Sequence, residues 1–82
     1  MMEAAYVLFN LQPRKKKEFI RKARKIEGVK EARLVIGIFD AIVRIEADSM
    51  EALEKIYFNQ IDNVDGIAHS RLHLVACPRT RK

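Results

Sequence analysis

The chain repeats itself, and the repeat constrains its fold more than any other feature. Ile26-Glu27-Gly28-Val29-Lys30-Glu31-Ala32-Arg33-Leu34 is echoed by Val64-Asp65-Gly66-Ile67-Ala68-His69-Ser70-Arg71-Leu72, with Gly, Arg and Leu identical. Upstream, Ala5-Tyr6-Val7-Leu8-Phe9-Asn10 resembles Ala41-Ile42-Val43-Arg44-Ile45-Glu46. Each copy reads as strand, helix, tight turn, strand.

Within the first copy, Ala4 to Leu11 is an almost continuous apolar run ending at Gln12-Pro13. It is too short for a helix, and its apolar character on both faces predicts a central strand. Pro13 suits the first turn of a helix. There Phe19, Ile20, Ala23 and Ile26 recur at helical spacing, and Gly28 stands at a helix-terminating position. Lys30 to Ile36 alternates as a strand, with Ala32, Leu34 and Ile36 on one face. Gly37-Ile38-Phe39-Asp40 interrupts the alternation and Ala41 to Ala47 resumes it, which reads as a hairpin.

In the second copy, Asp48 and Glu51 have capping-box spacing ahead of a helix that buries Leu53, Ile56, Tyr57 and Ile61. Asp65-Gly66 turns into a last strand, Ile67 to Ala76, and Pro78 ends it. The order βαββαβ with right-handed crossovers puts the first and third strands in the middle of the sheet. The fold class is therefore α+β: a ferredoxin-like plait, with two helices on one face of a four-stranded antiparallel sheet. The other face of the first strand, whichever side the helices take, is too apolar to leave in water. A second subunit's sheet is its natural cover, so a dimer is expected.

Size supports the same expectation. A chain of 82 residues is one domain, with residues 1–78 forming the module and 79–82 a basic tail. Domains this small hide only about 60% of their unfolded surface and usually need a disulfide, a metal or a partner. Cys77 stands alone, so no intrachain disulfide is possible.

Charge and motifs narrow the function. The 16 Lys and Arg outnumber the 11 Asp and Glu, for a net charge of +5. Eight of the cations, from Arg14 to Lys25, crowd the first helix. A solvated helix face accounts for them; an electrostatic contact with nucleic acid, marked by steep salt dependence, is the other reading. RNA-recognition domains share the plait but carry aromatics on the third strand, and Ala41-Ile42-Val43-Arg44-Ile45 has none. No apolar run approaches the ~20 residues that span a bilayer, and no signal-peptide pattern opens the chain. A soluble cytoplasmic protein without membrane contact is expected.

Catalysis finds little support. His69 and His73, four apart on a strand, would be about 13 Å from each other, too far to share a metal. Cys77 has no histidine placed by local sequence to activate it. Each of the three glycines is isolated, so there is no phosphate-binding loop. Catalytic residues, metal ligands and cofactors are all expected to be none. Asp40, beside Gly37, is the unusual carboxylate, although a turn role already explains it.

Val35-Ile36-Gly37-Ile38-Phe39-Asp40-Ala41-Ile42-Val43-Arg44-Ile45-Glu46-Ala47-Asp48 resembles the Gly-x-Tyr/Phe-Asp hairpin and following strand of the Lrp/AsnC family of transcriptional regulators. Ile26-Glu27-Gly28-Val29, Asn63-Val64-Asp65-Gly66-Ile67 and Ala5-Tyr6-Val7-Leu8-Phe9 also resemble that family's ligand-binding half, the RAM (regulation of amino-acid metabolism) module. The resemblance runs from about Ala4 to Ala76 and lacks the family's helix-turn-helix domain, so it is to a stand-alone RAM protein.

The resemblance implies a homodimer formed by sheet-to-sheet packing and assembling further, commonly into octamers or decamers. It implies an amino-acid effector bound at subunit interfaces, with full-length regulators of the family as further partners, and no direct sequence-specific DNA binding. The implied ligand-binding residues are Gly37, Phe39, Asp40 and Ser70. Asp40 would meet the effector's ammonium and Gly37 would allow close backbone approach. Phe39 would line a side-chain pocket or pack in an interface. Relatives often have Thr-x-Thr early in the last strand, where this chain has Ser70-Arg71-Leu72. Leu72 in place of the second hydroxyl points to a more apolar effector or to weaker binding. Pro13-Arg14 replaces a frequent Pro-Gly. Two other classes remain: a small dimeric α+β barrel enzyme, for which only His69 and His73 could serve, and a purely structural oligomeric scaffold.

Overall fold

The structure, a computed structural model, describes residues 2–76. Cys77, Pro78 and the expected basic tail lie outside the described residues. Four strands, β1 (Glu3–Leu11), β2 (Val29–Leu34), β3 (Ala41–Ala47) and β4 (Ile67–Leu74), form one antiparallel sheet in the order β2-β3-β1-β4. With helices α1 (Lys16–Ala23) and α2 (Met50–Lys55) between them, this is the open βαββαβ plait that the repeat predicts.

Alternation decides which face is covered. Ala5, Val7, Phe9 and Leu11 of β1 and Ala41, Val43 and Ile45 of β3 are buried. They share one cluster with Phe19, Ile20 and Ala23 of α1 and with Leu53, Tyr57 and Ile61 after β3. Phe9 and Phe19 meet at a ring-centroid distance of 4.7 Å, tilted by 58°, a favourable aromatic geometry.

The uncovered face is more polar than β1 alone suggests. Tyr6 and Leu8 stand opposite Arg44 and Ile42 on one side and His73 and Arg71 on the other. Arg44 lies 5.1 Å above the Tyr6 ring and donates to Glu46 at 2.9 Å. The face is thus a short apolar centre, Tyr6, Leu8 and Ile42, inside a charged surround.

Local details differ from the sequence reading in four places. α1 stops at Ala23, and two tighter turns carry the chain to Gly28, which belongs to the turn into β2 and not to the helix end. β2 stops at Leu34, opposite Ala41 where β3 begins, so Ile36 never joins the ladder. β4 ends at Leu74. The cap of α2 is Ser49, whose Oγ accepts the Ala52 N–H at 3.1 Å, not Asp48; the helix starts one residue later than the capping-box spacing implies.

Past Lys55 the helix widens into a π-turn, Ile56–Gln60, then tightens through a 3-10 turn, Ile61–Asn63. Leu53, Tyr57 and Ile61 recur every four residues, and a regular α-helix would rotate them away from the core by about 40° per step. The wider π-turn absorbs that drift, so all three are buried.

The repeat survives in the turns. Gly28 and Gly66 have φ of +98° and +105°, where side-chain-bearing residues are strained. Each carbonyl accepts a backbone N–H from a neighbouring strand end: Gly28 from Glu46 at 2.9 Å, and Gly66 from Gln12 at 2.8 Å.

Candidate functional site

The unrepeated segment between the two copies, Val35 to Asp40, is fixed at its base and bare at its tip. The Asp40 N–H donates to the Phe9 carbonyl at 2.8 Å, and the Asp40 carbonyl accepts from the Val35 N–H at 2.9 Å. Asn10 Nδ2 donates to the Ile38 carbonyl at 2.9 Å. Main-chain and amide bonds thus tie the loop to the end of β1.

Asp40 is the hub of this arrangement. Its Oδ2 accepts the Leu11 N–H at 2.9 Å, and its Oδ1 lies 3.5 Å from Lys16 Nζ. The Leu11 N–H, more than the Lys16 ammonium, holds the carboxyl below its ordinary pKa, because a hydrogen bond to the charged form favours it. At neutral pH Asp40 is a carboxylate, with one oxygen engaged by backbone and the other loosely paired to a partly exposed lysine. An external ammonium would compete with Lys16 for that second oxygen.

The tip is apolar and open. Ile36 is 106% exposed and Ile38 87%, on either side of Gly37. A Cβ added at Gly37 would meet nothing within 4 Å, so within one protomer nothing approaches that backbone. Phe39 is half-buried, while Leu34 and Val35 are exposed.

Ser70 lies apart from the hairpin. It pairs with Phe9 across β1, and Phe9 pairs with Ala41 on its other side. Two strand spacings, roughly 10 Å, therefore separate Ser70 from the start of β3. Its Oγ and the Tyr57 hydroxyl are 2.7 Å apart, beneath the helical layer. Leu72, two residues on, pairs with Val7 and packs against the same core. Gly37, Phe39 and Asp40 thus share the hairpin, and Ser70 has an intramolecular partner elsewhere.

His69 and His73 lie on the uncovered face of edge strand β4, opposite Asn10 and Tyr6. Among the described residues no three His, Cys, Asp or Glu side chains converge as a metal site, and no helix is long and apolar enough to cross a membrane. Asn10, Lys16 and Tyr57 contribute to the geometry without having stood out as site residues in the sequence. Tyr57 was legible only as a core position of the second helix, and Asn10 as a polar residue near the end of the apolar β1 run.

A family model described as the Lrp/AsnC ligand binding domain matches residues 4–77. Among solved structures, FFRP-DM1 is 26% identical with a TM-score of 0.84, over 90% of this chain and 99% of that one. AsnC of E. coli is 20% identical with a TM-score of 0.83, over 98% of this chain but 55% of its own. A transcriptional regulator of Neisseria meningitidis in complex with L-Met is 14% identical with a TM-score of 0.81, over 96% of this chain and 53% of its own. At these last two identities the likeness is one of fold, and this chain spans about half the length of those regulators. No curated protein matches the chain. On a match that takes in both copies of the repeat and the hairpin between them, the chain belongs to the family of Lrp/AsnC ligand binding domains.

Proposed function

We propose that the protein is an amino-acid-sensing oligomerisation module, and that its effector binds where the Val35–Asp40 hairpin meets another subunit. The observation that carries this reading is the hairpin itself: Ile36 and Ile38 exposed around Gly37, next to a carboxylate held ionised. Such a tip supplies what a zwitterion with an apolar side chain needs, a negative charge for the ammonium and apolar surface beside it. A second subunit would enclose the pocket. Phe39 and the backbone at Gly37 would contribute to it, and Ser70 would do so with the hydrogen-bonding capacity that its one bond to Tyr57 leaves.

Membership of a ligand-binding family and the L-Met complex of a structural neighbour favour an amino acid as effector. Sheet-to-sheet packing over Tyr6, Leu8 and Ile42 would build the homodimer, and hairpin contacts would join dimers into octamers or decamers. Full-length regulators of the family could enter the same assembly. The mechanism is linkage: an effector bound between subunits stabilises whichever assembly creates the pocket.

Calorimetry against the twenty amino acids, with light scattering before and after addition, tests the proposal. A ligand that gives heat and also changes or stabilises the oligomer supports it. No heat and no shift with any of them sinks it.

A second reading, a purely structural oligomer, is favoured by two contacts. The Ser70 hydroxyl already has Tyr57 as a partner, and both oxygens of Asp40 have intramolecular partners. Asp40→Asn distinguishes the readings, since it removes the charge and keeps an oxygen for the Leu11 N–H. Loss of effector binding with assembly intact marks a sensor; assembly that never responds to any amino acid marks a scaffold.

A further inference from the structure

The cations of α1 are arranged, not merely numerous. Lys17 and Arg21 lie on one side of α1 at a spacing of four, and Arg24 follows three residues on at the helix's C-cap, still in helical backbone. With Lys25 and Ile20 they face Leu34 of β2 across an open groove of about 580 Å³. A second groove of about 350 Å³, lined by Lys30 and Arg33 among others, continues from the first, and Arg24 lines both.

Arg24 is held in place. Its Nε and Nη2 both donate to the Ala32 carbonyl, at 3.0 and 2.9 Å, which leaves the other guanidinium N–H groups for an outside acceptor. No carboxylate among the described residues comes within 4.0 Å of Lys17, Arg24, Lys25 or Lys30. Glu18 is shared weakly between Arg21 at 3.8 Å and Lys22 at 3.3 Å, and Glu31 is occupied by Arg33. Four cations thus line the first groove, and Lys30 extends the positive lining into the second, where Glu31 offsets Arg33.

The chemistry of the groove selects its occupant. A small anion would need an enclosed site, and this one is open to solvent along its length. A membrane surface would need several apolar side chains to insert beside the cations, but Phe19, Ile20 and Ala23 are buried in the core and Leu34 is the one exposed apolar side chain among the groove's lining residues. Single-stranded nucleic acid would need aromatic platforms, and none lines the groove. A regular row of phosphates fits what remains. We propose that the α1–β2 groove binds the phosphate backbone of duplex nucleic acid without reading its sequence. This inference is independent of effector binding, and either can fail while the other holds.

Fluorescence anisotropy of the full chain with short labelled DNA duplexes of unrelated sequence tests it. Equal affinity for the sequences is expected. With one phosphate contact from each of the four cations lining the first groove, Lys17, Arg21, Arg24 and Lys25, log K should fall with log salt at a slope of about −3.6, a loss on the order of 100-fold between 50 and 200 mM. Lys17→Gln, Arg21→Gln and Lys25→Gln together should flatten that slope to about −0.9. The variant Lys22→Gln, Lys55→Gln and Arg71→Gln, with the same change in charge, should keep it. The single exposed change Lys17→Glu, which breaks no hydrogen bond, should weaken binding in the same direction.

Equal losses in the two triple variants would mean diffuse charge and would overturn the groove. So would no binding at 50 mM salt, tighter binding to phosphatidylserine vesicles than to duplex, or polyglutamate competing as well as duplex.

Discussion

The carboxylate of Asp40 accepts the backbone N–H of Leu11 at 2.9 Å, joining the hairpin to the end of the central strand from 29 residues away in sequence. It satisfies a donor at the point where β1 ends, and it keeps Asp40 ionised. The site residue and the fold residue are therefore the same residue. Asp40→Ala removes both roles, whereas Asp40→Asn removes only the charge. At neutral pH the melting temperature should fall in the order wild type, Asp40→Asn, Asp40→Ala.

Acid should erase the first of those differences. The folded pKa of Asp40 is lowered, chiefly by the Leu11 hydrogen bond, so its ionisation stabilises the fold fully above the unfolded carboxylate pKa of about 3.9. That contribution is lost as pH falls through the lowered folded value. Asp65, held down chiefly by its hydrogen bond from Lys15, loses its contribution in the same window. Melting curves between neutral pH and strong acid should show the gap between wild type and Asp40→Asn begin to narrow below about pH 4 and close once pH is below the lowered folded value. A gap that stays constant through that range would mean that the charge contributes nothing.

The hydroxyl pair of Tyr57 and Ser70, 2.7 Å apart, makes a separate prediction. Tyr57→Phe and Ser70→Ala should each cost about 1 kcal/mol, the usual net worth of a neutral hydrogen bond. Because they share one bond, the double variant should cost less than the sum of the two. Additive costs in urea unfolding would show that the hydroxyls act independently and that Ser70 is free for a ligand.

The strands were legible because they rest on local periodicity, and their order because parallel crossovers are right-handed. The covered face was not, since Tyr6 and Leu8 are apolar as well; only the packed structure shows that Ala5, Val7, Phe9 and Leu11 take the inner side. The cap was missed by one residue, since Asp48 and Ser49 are both good N-caps and only the helix start distinguishes them. The π-turn had a signal in the four-residue spacing of Leu53, Tyr57 and Ile61, which a single helical period does not fit. The site was half legible. Gly37, Phe39 and Asp40 stood out together, but the bonds that orient them come from Asn10, Leu11 and Lys16, which meet the hairpin only through the fold.

The glycines should respond unequally to substitution. Gly66→Ala forces a side chain into φ +105° and places its Cβ 2.5 Å from that of Lys15, so a loss of at least 1–2 kcal/mol, roughly, is expected from the left-handed conformation alone. Gly37→Ala meets nothing within 4 Å, so only the strain of a side chain at φ +158° should lower the protomer's melting temperature, by less than at Gly66. Any larger effect of Gly37→Ala on oligomer size than on melting would identify close backbone approach by another subunit.

The most direct prediction concerns Ile36 and Ile38. Both are exposed in the protomer, so replacing them with Ser removes no intramolecular burial, and protomer stability should stay within about 0.5 kcal/mol of wild type. If the hairpin docks on another subunit, the same double variant loses the transfer energy of two isoleucines, on the order of 1.5–3 kcal/mol each when fully buried. Sedimentation equilibrium should then show the oligomer dissociating at concentrations where wild type stays assembled. Because the dimer would form through the sheet face and not through the hairpin, the variant should stop at the dimer. An Ile36→Ser, Ile38→Ser variant with the wild-type assembly would remove the hairpin from the interface, and the effector pocket proposed there with it.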